Sequence, residues 1–80
     1  MPNNNANINK GKTIANQGVG EIREGVKQIA TGMNQLSNGN VSEGNNNITA
    51  GQRKINTGAN HVTKGNQMMA TAAKNALQQQ

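Results

Sequence analysis

Glycine returns every seven residues along this chain: Gly11, Gly18, Gly25, Gly32 and Gly39, then, after one slip of phase, Gly44, Gly51, Gly58 and Gly65, with Ala72 in the next slot. A bulky apolar residue stands three positions ahead of most of them: Ile8, Ile22, Ile29 and Leu36 in the first run, and Val41, Ile48, Ile55, Val62 and Met69 in the second. Only Ala15 is small. A period of seven is the repeat of helices that pack along a seam. The spacing therefore points to a protein that works by packing rather than by chemistry. With the bulky position called a, the glycine is position d.

The two series are joined by a short step. From Leu36 to Val41 is five residues rather than seven, and a deletion of two swings a helical stripe by roughly 200° at about 100° per residue. One continuous helix would present its halves on opposite sides, so a turn is expected at 37–40. Asn38-Gly39 tolerates positive φ, and Gly39 suits the first position past a helix. Asn40-Val-Ser-Glu43 reads as a capping box opening the second helix. The predicted fold is all-α, an antiparallel hairpin of helices over about residues 8–37 and 41–77. Residues 1–7 read as a flexible polar arm, because four Asn and a Pro offer nothing to bury, and 78–80 as a frayed tail.

Two registers run cleanly through such a hairpin. In one, each bulky residue faces a glycine: Leu36 with Gly44, Ile29 with Gly51, Ile22 with Gly58, and reciprocally Gly32 with Ile48, Gly25 with Ile55, Gly18 with Val62. In the other, Ile29 lies beside Ile48 and Ile22 beside Ile55, with glycine layers between. Even filling of volume favours the first. Both bring the helices closer than the usual 8–10 Å, since glycine has no Cβ. Eight interior glycines cost about 8 kcal/mol of helix stability relative to alanine, against about 5–15 kcal/mol for a whole domain. One pair of helices has little area with which to recover that, so further copies of the chain are the expected source. Val19, Val26 and Met33, each following a glycine, widen the apolar stripe of the first helix and are candidate lateral contacts. The matching second-helix positions, Asn45, Gln52, Ala59, Asn66 and Ala73, are mostly polar.

Composition sets the remaining bounds. The 80 residues include no Cys, Phe, Trp or Tyr and only one His, so no disulfide, no aromatic base-stacking platform and no metal site is expected. No Sec-type leader or bilayer-length apolar run is visible, so an exported chain is expected either to use another route or to have lost its signal, with a cytoplasmic location as the alternative. The net charge of +5 comes from Lys and Arg scattered around both helices, which makes nucleic-acid binding a weak third reading. Ala6-Asn-Ile-Asn-Lys-Gly-Lys12-Thr13 fits the spacing of a phosphate loop, but a polar arm stands where the buried strand should be and the chain has no Asp. Gly18-Val-Gly20 lacks the third glycine of a dinucleotide fingerprint. His61 reads as an exposed helical histidine, and Glu21 and Glu24 as surface charge beside Arg23 and Lys27. No catalytic residue, cofactor or small-molecule substrate is expected. Gly20 alone among the glycines breaks the seven-residue rule.

The run Ile22-Arg-Glu-Gly25-Val-Lys-Gln-Ile29-Ala-Thr-Gly32-Met-Asn-Gln-Leu36-Ser-Asn-Gly39 resembles the X-X-X-Leu-X-X-Gly heptad repeats of bacterial envelope proteins, including the phage-infection-protein group. Ile48-Thr-Ala-Gly51 and Ile55-Asn-Thr-Gly58 continue the likeness, which covers about residues 8–76. The resemblance implies a glycine-seamed helical structure at a bacterial cell surface or outside the cell. The membrane spans of that group have no counterpart here, so anchoring and phage reception do not carry over. In size and inferred shape the chain is also similar to type III secretion needle subunits, small helical hairpins that polymerise. The expected function is that of a non-enzymatic structural subunit assembling with itself into a bundle, fibre or tube. The alternative is a small adaptor that docks its helices on another protein, for example one of an export system.

Overall fold

A computed structural model describes residues 4–78 and shows two helices, α1 (Asn4–Ser37) and α2 (Val41–Gln78), folded back on each other as an antiparallel hairpin. There is no strand among the described residues. The Cα envelope measures 62 × 13 × 12 Å, close to the length of α2 alone, about 57 Å at 1.5 Å per residue. The molecule is a thin rod two helices wide.

The turn follows from its chemistry. Gly39 has φ +90°. Its N–H donates to the Leu36 carbonyl at 3.1 Å, while the Asn40 N–H donates to the Gln35 carbonyl at 2.8 Å. These are the two bonds of a Schellman motif with Gly39 at the C′ position. The Asn40 carbonyl in turn accepts from the Gly44 N–H at 2.9 Å, the first bond of α2. One residue thus closes one helix and opens the next. That economy overturns the expected capping box: the Asn40 N–H is already given to Gln35, so Glu43 has no donor to reach back to, and instead accepts from Gln35 Nε2 at 3.4 Å. Gly39→Ala should cost about 1–2 kcal/mol, because a left-handed φ strains any residue with a Cβ; urea unfolding followed by circular dichroism measures it.

The polar arm expected at 1–7 also needs correction. Asn4–Asn7 already belong to α1; residues 1–3 of that segment lie outside the described residues. The reason is the length of the partner. Because α2 continues to Gln78, the first turn of α1 still has a helix beside it, and Asn7 borders the end of α2 near Met68 and Ala72. Gln78, placed in the frayed tail, closes α2; the rest of that tail, 79–80, lies outside the described residues. Along α1 the hydroxyl residues serve their own backbone. Thr13, Thr31 and Ser37 donate to the carbonyls of Asn9, Lys27 and Met33 at 3.0–3.1 Å.

Candidate functional site: a glycine seam and its polar flank

The helices meet backbone to backbone. A Cβ placed on Gly25 would lie 2.5 Å from the Gly51 carbonyl oxygen and 2.8 Å from Ile55 Cγ1. One placed on Gly51 would lie 2.6 Å from the Gly25 oxygen and 2.7 Å from Ile29 Cγ1. The same reciprocal meeting joins Gly32 with Gly44, Gly18 with Gly58 and Gly11 with Gly65. In each case the glycine hydrogen occupying the Cβ direction points at a carbonyl of the other helix. Such Cα–H···O contacts are worth perhaps 0.5–1 kcal/mol each, and they require bare backbone.

Bulky residues roof each notch. Ile55 and Ile48 lie over Gly25 and Gly32, Val62 and Met69 over Gly18 and Gly11, and Leu36, Ile29 and Ile22 over Gly44, Gly51 and Gly58. Gly65 is roofed by Ala15, with Cβ 2.9 Å from where its own would be. In every pair the residue numbers sum to 80, as for Leu36 with Gly44 or Gly25 with Ile55. The same sum sets Ile8 opposite Ala72, which is 2% exposed. Val41, assigned to the seam by its heptad position, is not in it and is 56% exposed. Its mate by the same sum is Gly39, which has already left the helix for the turn.

One flank of the seam carries polar pairs that the heptad does not reveal. Because d is glycine, the adjacent position of each helix is drawn inward, and its side chains reach across. Glu21 Oε1 meets His61 Nδ1 at 2.5 Å, both side chains about one-third exposed or less. Lys54 Nζ lies 3.7 Å from Glu24 Oε2. Asn47 Nδ2 donates to Gln35 Oε1 at 2.6 Å, and Gln28 Nε2 donates to Asn47 Oδ1 at 3.5 Å. His61 and Glu21, which the sequence places on the free surface, therefore bridge the helices, whereas Glu24 stays surface charge, its side chain 68% exposed. Their spacing held a usable signal, since Glu21 and His61 both precede an a residue and so flank the same seam. Such part-exposed pairs contribute at most about 1 kcal/mol each, but their sum fixes which flanks face each other.

The flank contains one defect: Gln28 Oε1 is buried with no hydrogen-bond partner. A buried unsatisfied oxygen costs about 1–3 kcal/mol, whereas an apolar side chain of similar shape avoids that penalty. Gln28→Met is therefore expected to raise stability by about 1 kcal/mol in thermal unfolding, after loss of the long bond to Asn47.

No cluster of three or more His, Cys, Asp or Glu that could hold a metal ion occurs among the described residues. The segment resembling a phosphate loop, residues 6–13, is helix, with Gly11 pressed against Gly65, so its amides form no open loop. A groove of about 350 Å³ lies at the open end of the hairpin, where Asn7 faces Lys64, Met68 and Ala72. No helix among the described residues is long and apolar enough to cross a membrane. On the flank opposite the polar pairs, Val19, Val26 and Met33 are exposed. The chain matches no protein-family model, no curated protein and no solved structure.

Proposed function

We propose that this protein is a non-enzymatic structural subunit that associates with copies of itself, using the glycine-seamed hairpin as a stiff building block. The observation that carries the reading is the shortage of core. Ala72 is the one fully buried hydrophobic residue among those described, and Val19, Val26, Met33, Val41 and Leu77 stand exposed. The accessible surface is 5615 Å², whereas a compact monomer of this mass exposes about 4,600 Å². Seam contacts order the two helices, but a rod this thin removes little apolar area from water. Neighbouring copies supply that area.

Sedimentation velocity across concentration, with negative-stain microscopy at the upper end, tests the proposal. The expected result is a mass that rises with concentration toward regular particles. A chain that stays a folded helical monomer at every concentration would overturn it. A helix-poor monomer that orders only on another protein would favour the adaptor reading instead.

A further inference from the structure

Gly20 is the one helical glycine outside the seam, and its place is informative. A Cβ built there meets nothing within 4 Å, although a mid-helix glycine costs about 1 kcal/mol relative to alanine. Every other glycine within the helices lies under a carbonyl of the opposite helix. In this molecule bare backbone marks close approach, and nothing in the hairpin approaches Gly20.

Beside it runs a ridge of Val19, Val26 and Met33, which are 40%, 54% and 58% exposed. Their spacing of seven sets them in one line spanning about 21 Å. Val26 is the midpoint, so a two-fold axis through it exchanges Val19 with Met33. An antiparallel helix in that position drops the second copy's Met33 into the hole bounded by Asn16, Val19, Gly20 and Arg23. The longest side chain of the ridge then meets the position that lacks one. A parallel pairing would stack Met33 on Met33 and leave the notch facing a valine.

We infer that two hairpins pair through this outer face of α1, antiparallel about Val26, with Met33 of each copy seated over Gly20 of the other. The inference rests on the self-association proposed above and identifies its first contact. The occupant is a second copy because the ridge is complementary to itself under a two-fold axis, as an isologous interface requires. Arg23 and Lys27 lie along the same face, and Lys27 comes near its own copy across the axis. Salt should therefore strengthen the pairing by screening this repulsion, the reverse of phosphate-driven binding.

The chain has no cysteine, so single-cysteine variants report the geometry directly. Under mild oxidation, Val26→Cys should form an intermolecular disulfide at least ten times faster than Gln52→Cys on the corresponding row of α2. Val19→Cys should not couple to itself, since its two copies lie about 21 Å apart, but should couple when mixed with Met33→Cys. Gly20→Leu should weaken dimerisation at least ten-fold by sedimentation while circular dichroism keeps its helix content. Self-coupling of Val19→Cys as fast as that of Val26→Cys, equal coupling of Gln52→Cys, or an unchanged dissociation constant for Gly20→Leu would overturn the inference. If the natural chain associates but Val26→Cys does not couple, this interface alone is wrong. If the natural chain never associates, the function proposed above falls with it.

Discussion

Gly25→Ala is expected to destabilise the hairpin by about 1–2 kcal/mol, while Gly20→Ala, the same chemical change five residues away, stabilises it by about 1 kcal/mol. Both replace a poor helix former with the best one, a gain of about 1 kcal/mol in a helix interior. At Gly20 the gain stands alone, because the added methyl meets nothing. At Gly25 the methyl would lie 2.5 Å from the Gly51 carbonyl oxygen, and backbone cannot swing aside as a side chain can. The helices must part locally, which breaks the reciprocal Cα–H···O contacts and loosens Ile55 and Ile29 in their notches. Overpacking of this kind costs about 1–3 kcal/mol, and the lost Cα–H···O contacts add about 0.5–1 kcal/mol each, which together outweigh the gain in propensity. Replacing both Gly25 and Gly51 with Leu takes the effect further: helix propensity rises, yet close approach at mid-rod is lost, and with it self-assembly. Thermal unfolding at concentrations where the chain is monomeric measures the alanine pair, and sedimentation measures the double variant. Equal stabilisation by the two alanines, or normal assembly of the leucine variant, would show that the seam does not need bare backbone.

The second large effect concerns the phase slip. The five-residue step from Leu36 to Val41 sets the two seam faces about 200° apart along any continuous helix, so a straightened chain cannot bury both halves against one partner. Restoring the step to seven removes that obstacle. A variant with Asn38, Gly39 and Asn40 changed to Ala and two further alanines inserted beside them carries one unbroken heptad and no Schellman turn. It is expected to form a continuous helix of about 115 Å, paired antiparallel with a second copy so that each α1 lies on the other chain's α2 in the same bulky-over-glycine layers. Small-angle scattering would then show a dimeric rod nearly twice as long as the 62 Å hairpin. A variant that remained a 62 Å monomer would mean that the turn is imposed by the seam itself rather than by the local sequence. The natural step therefore acts against exchange of helices between molecules, in addition to making the bend.

The polar flank shows where reading along the chain stops being sufficient. Gln28, Gln35 and Asn47 sit at helix positions where any polar residue is tolerated, and nothing local distinguishes a bridging glutamine from a solvated one. Glu21 and His61 are 40 residues apart, and their meeting depends on the rotation of two helices about their own axes. That rotation is set by how far glycine lets the helices approach. The misassignment of Val41 has the same origin. Its heptad position is regular, but the partner that regularity requires is Gly39, whose φ of +90° takes it out of the helix.

The amino-acid order by itself determined that there would be two helices and where they would turn, because a seven-residue period, a five-residue interruption and an Asn-Gly pair are local facts that propensity and sterics act on directly. It narrowed the registers to two. Even filling of volume favours the one in which bulky residues face glycines, and the structure has those contacts; the tertiary structure alone extended α1 back to Asn4 beside a longer partner, bridged the flank with Glu21 and His61, and left Gly20 facing outward. Those outcomes depend on the distance and rotation between two surfaces, which no stretch of one helix contains.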